Sequence, residues 1–121
     1  MIRRGDILFI TLPSPDLTPA APTVGSEAAY DRPAVVVQAD SFRGSPNTLL
    51  IVPATTKSKA ASVPWAVAVD PTSANCLRTR TVFLPFLIQA IDRSRIIDTL
   101  GRLEDEHLES IEASLRYLLE L

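Results

Sequence analysis

Short apolar runs separated by turn-forming residues occupy the chain as far as residue 103. They are five or six residues long, and several are rich in valine and isoleucine, which is typical of β-strands. The predicted strands are Ile7–Leu12, Ala34–Gln38, Thr48–Val52, Trp65–Val69, Arg80–Leu84 and Ile96–Leu100. Proline cannot donate a hydrogen bond in a sheet, so we expect Pro53 to end the third of them. Strands at this spacing predict a small barrel or sandwich rather than alternating strand and helix units.

The C-terminal segment carries a helical pattern instead. Three consecutive acids, Glu104-Asp105-Glu106, would complement the positive end of a helix dipole. Glu112 and Arg116 then form a supporting pair four residues apart. Apolar residues recur at helical spacing at Leu108, Ile111, Leu115 and Leu118. One amphipathic helix is therefore expected to pack on the sheet, with its acids facing solvent.

The predicted organisation is one domain over residues 1–121, mainly β with a C-terminal α-helix. Residues 1–103 form the barrel, and residues 104–121 form the helix. All ten prolines lie between Pro13 and Pro85, which agrees with a helix only at the end. Four prolines and no apolar pattern occupy Pro13–Gly25, which is therefore predicted to be a long loop. Long loops in small domains are often functional.

Composition narrows the function classes. The chain is 46% hydrophobic and 21% charged, which indicates a globular protein. It has one cysteine, Cys76, and one histidine, His107, so an internal disulfide and a His/Cys zinc cluster are excluded. No apolar run is long enough to span a membrane or to act as a signal peptide, and a reducing, cytoplasmic setting is expected. Residues 1–97 carry a net charge of +3 and residues 98–121 a net charge of −5, so the body is mildly basic.

Two polar clusters at predicted strand ends carry the candidate chemistry. The first runs from Gly25-Ser26-Glu27 to Arg32-Pro33, directly before an apolar strand. The second is Thr55-Thr56-Lys57-Ser58-Lys59, directly after one. Either could be an ordinary strand end rich in turn-forming residues. Any catalysis would have to proceed without metal, cysteine or histidine.

The ordered set of these segments resembles the MazF/PemK family of toxins. The resemblance rests on Arg4-Gly5-Asp6-Ile7, Gly25-Ser26-Glu27, Arg32-Pro33-Ala34-Val35-Val36-Val37-Gln38, Leu50-Ile51-Val52-Pro53-Ala54-Thr55-Thr56, Ile91-Asp92 with Arg95, and Gly101 with Leu103. It implies an SH3-like barrel and a homodimeric endoribonuclease belonging to a toxin–antitoxin pair. In such enzymes the 2′-hydroxyl of single-stranded RNA attacks the adjacent phosphate. No cofactor or metal is expected. The implied partners are single-stranded RNA, with messenger RNA as the expected substrate, and a small antitoxin with an acidic, disordered segment.

The resemblance also implies roles for individual residues. Arg32 matches the catalytic arginine, which would stabilise the negative charge of the transition state. Thr55 matches the second catalytic position, and Glu27 is a candidate to accept the 2′-hydroxyl proton. The residues expected to bind RNA are Ser26, Thr56, Lys57, Lys59 and Phe86.

This chain departs from the family pattern in one segment and leaves two other functions open. Leu84-Pro85-Phe86-Leu87-Ile88-Gln89 replaces a segment that commonly carries an acidic or polar residue followed by glutamine. The departure bears on cleavage specificity, and Phe86 could stack on an unpaired base or lie in the core.

Two alternative functions stay open, namely a non-enzymatic gyrase poison of the CcdB type and a catalytically inactive interaction module. Arg32 and Thr55 favour the nuclease, because a pure binder needs neither.

Overall fold

The computed structural model describes residues 1–12, 30–42 and 46–121. The loop predicted over Pro13–Gly25 lies outside the described residues. The strands are β1 (Asp6–Leu12), β2 (Tyr30–Val36), β3 (Thr48–Thr55), β4 (Val67–Val69), β5 (Thr81–Phe83), β6 (Gln89–Asp92) and β7 (Ile96–Arg102), and the helix is α1 (Asp105–Leu119). Short 3₁₀ helices cover Ser58–Ser62, Pro85–Leu87 and Arg93–Arg95.

The strands form one antiparallel sheet in the order β4-β5-β3-β2-β1-β7, with β6 also paired to β3. The prediction of a mainly β fold with a C-terminal helix is confirmed. The sheet is barrel-like but is not closed, since β4 and β7 are its two ends. Strand β6 was not predicted from the sequence: of its four residues only Ile91 is buried, so it has no apolar run.

Strands β1, β2 and β3 are buried on both faces, which explains their nearly continuous apolar sequence. Successive residues alternate between two hydrophobic clusters, as the pleat of a strand requires. The first cluster faces α1 and includes Ile7, Val35, Val52, Ala54, Phe83, Leu108 and Ile111. The second includes Leu8, Ile10, Ala34, Val36, Leu49, Ile51 and Ile91. Burial of each valine, leucine, isoleucine or phenylalanine side chain in these clusters contributes roughly 1.5–3 kcal/mol to folding.

The expectation that Pro53 ends its strand was wrong. Strand β3 continues through Pro53 to Thr55, because it changes partners there. Pro53 is the last residue paired with β2, and Ala54 is the first paired with β5. The Pro53 carbonyl accepts a hydrogen bond from the backbone N–H of Leu84 at 2.9 Å. A proline is tolerated at such a change of partner because its missing N–H interrupts neither ladder.

Helix α1 begins at Asp105, one residue after the predicted start, and buries Leu108, Ile111 and Ser114. The Ser114 hydroxyl donates to the backbone carbonyl of Trp65 at 2.9 Å, which ties the helix to the segment before β4. Leu118 was expected on the apolar face, but it is 40% exposed. The last turn of the helix therefore extends beyond the core.

Several residues that carry the family resemblance have structural roles. Gly5 adopts a φ of 93°, which a residue with a side chain rarely accepts. The Asp6 carboxylate accepts hydrogen bonds from the backbone N–H of Arg3 at 2.8 Å and from the Arg102 guanidinium at 3.1 Å. Arg4 forms an ion pair with Glu112 of α1. These contacts join the N-terminus to β7 and to the helix.

Candidate functional site

A cavity of about 700 Å³ lies where β2 begins and β3 ends. The two strands are antiparallel, so these two ends meet at the same edge of the sheet. The lining residues come from five segments of the described chain, namely Phe9; Asp31, Arg32 and Pro33; Ala54, Thr55, Thr56 and Lys57; Cys76, Leu77, Arg78, Thr79 and Thr81; and Ile97, Asp98 and Leu100.

Arg32 is the buried cation of this cavity. It is only 9% exposed, and its Nη1 donates a hydrogen bond to the backbone carbonyl of Ala54 at 3.3 Å. Burial removes the guanidinium from water and lowers the pKa of Arg32 to about 10. The side chain is still protonated at neutral pH, so the cavity holds a poorly hydrated positive charge.

Thr55 lies on the neighbouring strand at the same end. The last pair between β2 and β3 is Ala34 with Pro53, and continuing that register by two residues places Thr55 opposite Arg32. The Thr55 Oγ1 accepts a hydrogen bond from the backbone N–H of Lys57 at 3.2 Å. This bond orients the hydroxyl and leaves its proton to be donated to a ligand.

The charged and polar groups of the cavity are suited to a phosphate-containing ligand. Arg32, Lys57 and Arg78 supply positive charge, and the carboxylates of Asp31 and Asp98 stand on the same lining. Threonine hydroxyls are present at positions 55, 56, 79 and 81. Guanidinium groups bind phosphate oxygens in a bidentate fashion, and hydroxyls can donate to the remaining oxygens.

The structure brings together four of the residues singled out from the sequence, namely Arg32, Thr55, Thr56 and Lys57. Thr56 was expected to face away if the strand continued, but β3 ends at Thr55, and Thr56 also lines the cavity. Two other candidates lie apart from it. Lys59 is within the 3₁₀ helix Ser58–Ser62, and Phe86 is in the 3₁₀ helix Pro85–Leu87, next to α1.

Two further candidates, Ser26 and Glu27, lie outside the described residues. Their proposed roles therefore remain predictions from the family resemblance.

Residues of the segment between β4 and β5 were missed by the sequence analysis. Cys76, Leu77, Arg78 and Thr79 line the cavity, although they follow no apolar or catalytic pattern. Asp98 of β7 was missed as well. Its position follows from pairing with Phe9 of β1, a contact between strands far apart in the sequence. Only the tertiary structure reveals these residues.

The described residues contain neither a metal-ligand cluster nor a membrane-spanning helix. No group of three or more His, Cys, Asp or Glu side chains there is placed to hold a metal ion. No helix there is both long enough and apolar enough to cross a membrane.

The fold of this chain is similar to the folds of two solved proteins. The MazE–MazF complex of Deinococcus radiodurans (Form-II) superposes with a TM-score of 0.73 at 21% identity, covering 99% of this chain and 96% of that chain. The Mycobacterium tuberculosis toxin MazF-mt6 superposes with a TM-score of 0.69 at 17% identity, covering 96% of this chain and 97% of that chain.

Comparison of the amino-acid sequence shows the family to which the chain belongs. Residues 3–119 match the model of the PemK-like, MazF-like toxins of type II toxin–antitoxin systems. Endoribonuclease EndoA of Bacillus subtilis (strain 168) is 28% identical over 121 residues, covering all of this chain and 97% of the relative. The chain therefore belongs to the PemK-like, MazF-like toxin family.

Proposed function

We propose that this protein is an endoribonuclease toxin that cleaves single-stranded RNA, with a preference for certain sequences and without a metal ion. The observation that carries the proposal is that Arg32 and Thr55 line one cavity. The relative named endoribonuclease EndoA supports the same activity. The attacking group is the 2′-hydroxyl of the RNA, which leaves a 2′,3′-cyclic phosphate and a 5′-hydroxyl.

Arg32 stabilises the transition state of this reaction. Negative charge accumulates on the phosphoryl oxygens as the 2′-hydroxyl attacks, and a guanidinium can bind two of them at once. Because this guanidinium is buried, its attraction for the developing charge is stronger than it would be in water. Arg32 is a poor general base, since its pKa of about 10 keeps it protonated at neutral pH.

The remaining roles follow from the same placement. The Thr55 hydroxyl donates to a phosphoryl oxygen, and the hydrogen bond from Lys57 fixes its orientation. Lys57 and Thr56 bind the RNA backbone beside the reacting phosphate. Glu27 accepts the 2′-hydroxyl proton, and Ser26 holds a phosphate, as the family resemblance implies.

A cleavage assay with labelled RNA tests the proposal. Wild-type protein is incubated in EDTA with a single-stranded RNA and with an all-deoxy strand of the same sequence. We expect cleavage of the RNA alone, with a 2′,3′-cyclic phosphate at the new end. Cleavage that requires magnesium, or equal cleavage of the DNA strand, would contradict the mechanism, because DNA lacks the attacking hydroxyl.

The Arg32→Lys variant tests the assigned site. Lysine keeps the charge but lacks the planar fork, so the rate should fall by roughly a hundredfold or more. Arg80→Lys is the control, because Arg80 does not line the cavity and is paired with Asp70 at 3.5 Å. A folded Arg32→Lys variant with wild-type activity would remove Arg32 from the mechanism.

The protein acts as a homodimer and is inhibited by an antitoxin with an acidic segment. Large apolar side chains are exposed around the end of α1, where Trp65 and Tyr117 stack with ring centroids 4.4 Å apart. Exposed apolar surface of this kind supports self-association. Light scattering at micromolar concentration should give the dimer mass, and a monomer mass would contradict the proposal. Saturating antitoxin should abolish RNA binding, since the acidic segment and RNA would compete for the same cations.

A further inference from the structure

The segment between β4 and β5 forms a wall of the cavity that none of the proposed catalytic roles uses. Arg78 and Thr79 of this segment line the cavity together with Arg32 and Thr55. Arg78 comes from a different part of the chain than the two strand ends that carry the catalytic residues. The wall therefore adds a separate positive charge to the site.

This wall is held in place by a buried asparagine. Asn75 is fully buried, and its Oδ1 accepts hydrogen bonds from the backbone N–H groups of Thr72 at 2.9 Å and Leu77 at 3.0 Å. Its Nδ2 donates to the backbone carbonyl of Asp70 at 3.0 Å and to the Glu104 carboxylate at 3.1 Å. The segment is thus fixed to the start of α1 before any ligand arrives, which lowers the entropy cost of binding.

The two arginines of this segment differ in their surroundings. Arg80 forms an ion pair with Asp70 at 3.5 Å and does not line the cavity. Arg78 is exposed, and among the described residues it forms no ion pair. Its guanidinium is therefore available to an anionic ligand in the cavity.

We infer that Arg78 binds an RNA phosphate other than the one that is cleaved, and so contributes to substrate affinity and not to the chemical step. This inference rests on the proposed function. The reacting phosphate binds beside Arg32 and Thr55, so Arg78 binds a neighbouring phosphate along the strand. Because this contact is the same in the ground state and in the transition state, its loss raises KM and leaves kcat unchanged.

The experiment compares Arg78→Ala with Arg80→Ala in the full-length protein. Each variant removes one positive charge from the same segment, and only Arg78 lines the cavity. We expect Arg78→Ala to raise KM about tenfold, the loss of one charge-assisted hydrogen bond, with kcat within about twofold of wild type. Arg80→Ala should change neither constant, and Arg78→Lys should restore most of the affinity.

Binding of a non-cleavable 2′-O-methyl RNA, followed by fluorescence anisotropy at several salt concentrations, measures the contact without catalysis. Loss of one phosphate contact should reduce the log–log salt slope by about 0.7 for Arg78→Ala and leave it unchanged for Arg80→Ala. A fall in kcat at constant KM, or equal effects of the two variants, would overturn the inference.

The same data separate this inference from the proposed function. If wild-type protein binds the 2′-O-methyl strand through Arg78 but does not cleave RNA, the proposed nuclease activity is contradicted and the phosphate contact is supported. If wild-type protein cleaves RNA but the two alanine variants have equal salt slopes, the phosphate contact of Arg78 is contradicted and the nuclease activity is supported. Wild-type protein that neither cleaves RNA nor binds the 2′-O-methyl strand would overturn both.

Discussion

Replacing Arg32 with methionine should stabilise the fold while abolishing activity. The guanidinium is 9% exposed, so folding removes a full positive charge from water. Burying a charge is unfavourable unless partners compensate for its lost hydration. Methionine is unbranched, close to arginine in shape over its first side-chain atoms, and apolar, so it can occupy the same space without that penalty.

The size of the effect follows from the titration of the side chain. Burial lowers the pKa of Arg32 to about 10, well below that of a free guanidinium, which corresponds to a penalty of about 3 kcal/mol. Removing the side chain also removes its hydrogen bond to the Ala54 carbonyl and a further interaction of the guanidinium, a loss of about 2 kcal/mol. The variant should therefore gain about 1 kcal/mol, which raises the Tm of a domain of this size by roughly 3–5 °C.

The sign of the pH dependence provides a second check. Above pH 10 the folded protein begins to lose the Arg32 proton, whereas the unfolded chain retains it until its higher pKa is reached. The unfolded state then binds more protons, so the contribution of Arg32 to the stability of the wild type rises with pH in this range. At neutral pH both states are protonated, and the burial penalty is present in full.

Thermal unfolding followed by circular dichroism at pH 7 measures the gain, with Arg78→Met as the control. Arg78 lines the same cavity but is exposed, so its replacement should leave the Tm unchanged. An Arg32→Met variant with an unchanged or lower Tm would refute the conclusion that this charge is buried at a cost.

Three further predictions concern the site and its support. Thr55→Val should lower kcat by roughly a hundredfold, with the fold intact by circular dichroism. Thr56→Val should lower kcat much less, and equal losses of kcat in the two variants would contradict the assignment of Thr55. Gly101→Ala should destabilise the protein by roughly 1–3 kcal/mol or more and lower its Tm, because a Cβ there would lie 2.5 Å from the Ala74 carbonyl oxygen. Thr99→Ala is the control, since Thr99 is exposed on the same strand and its replacement should leave the Tm unchanged. A Gly101→Ala variant as stable as wild type would show that the backbone can move aside. Burial opposes ionisation of Glu104, but hydrogen bonds from Thr72, its own backbone and Asn75, with the charge of His107, lower the pKa of Glu104 overall. The ionised carboxylate therefore stabilises the fold at neutral pH, and this contribution is lost as the pH falls below about 4.5. Glu104→Gln should thus flatten the acid unfolding curve below that pH, whereas Glu109→Gln, at an exposed position, should not.

The strand pattern predicted much of the fold because β1, β2 and β3 are buried on both faces. Such strands read as continuous apolar runs, and their ends are marked by polar residues such as Arg32 and Thr55. Strand β6 has one buried residue in four and therefore leaves no periodic signal. The continuation of β3 through Pro53 depends on a change of partner strand, which is a property of the sheet and not of the local sequence.

The candidate site was predictable only where it is built from strand ends. Arg32, Thr55, Thr56 and Lys57 are close together because the ends of two antiparallel strands meet. Arg78 reaches the cavity only because Asn75 fixes an irregular segment against Glu104. A segment of this kind has no periodicity, and the side-chain hydrogen bonds that shape it join residues up to 32 positions apart.

The residues that match the family pattern divide into those that line the cavity and those that hold its walls in position. Gly101 belongs to the second group, because the absence of a side chain lets β7 lie directly against the carbonyl groups of Ala74 and Asn75. The backbone N–H of Arg102 donates to the Ala74 carbonyl at 2.9 Å, and the Arg102 guanidinium reaches Asp6. These contacts hold the segment that carries Arg78 beside the strands that carry Arg32. A buried, costly charge at Arg32 can persist because the stabilising contacts lie outside the cavity, where they do not restrict the chemistry.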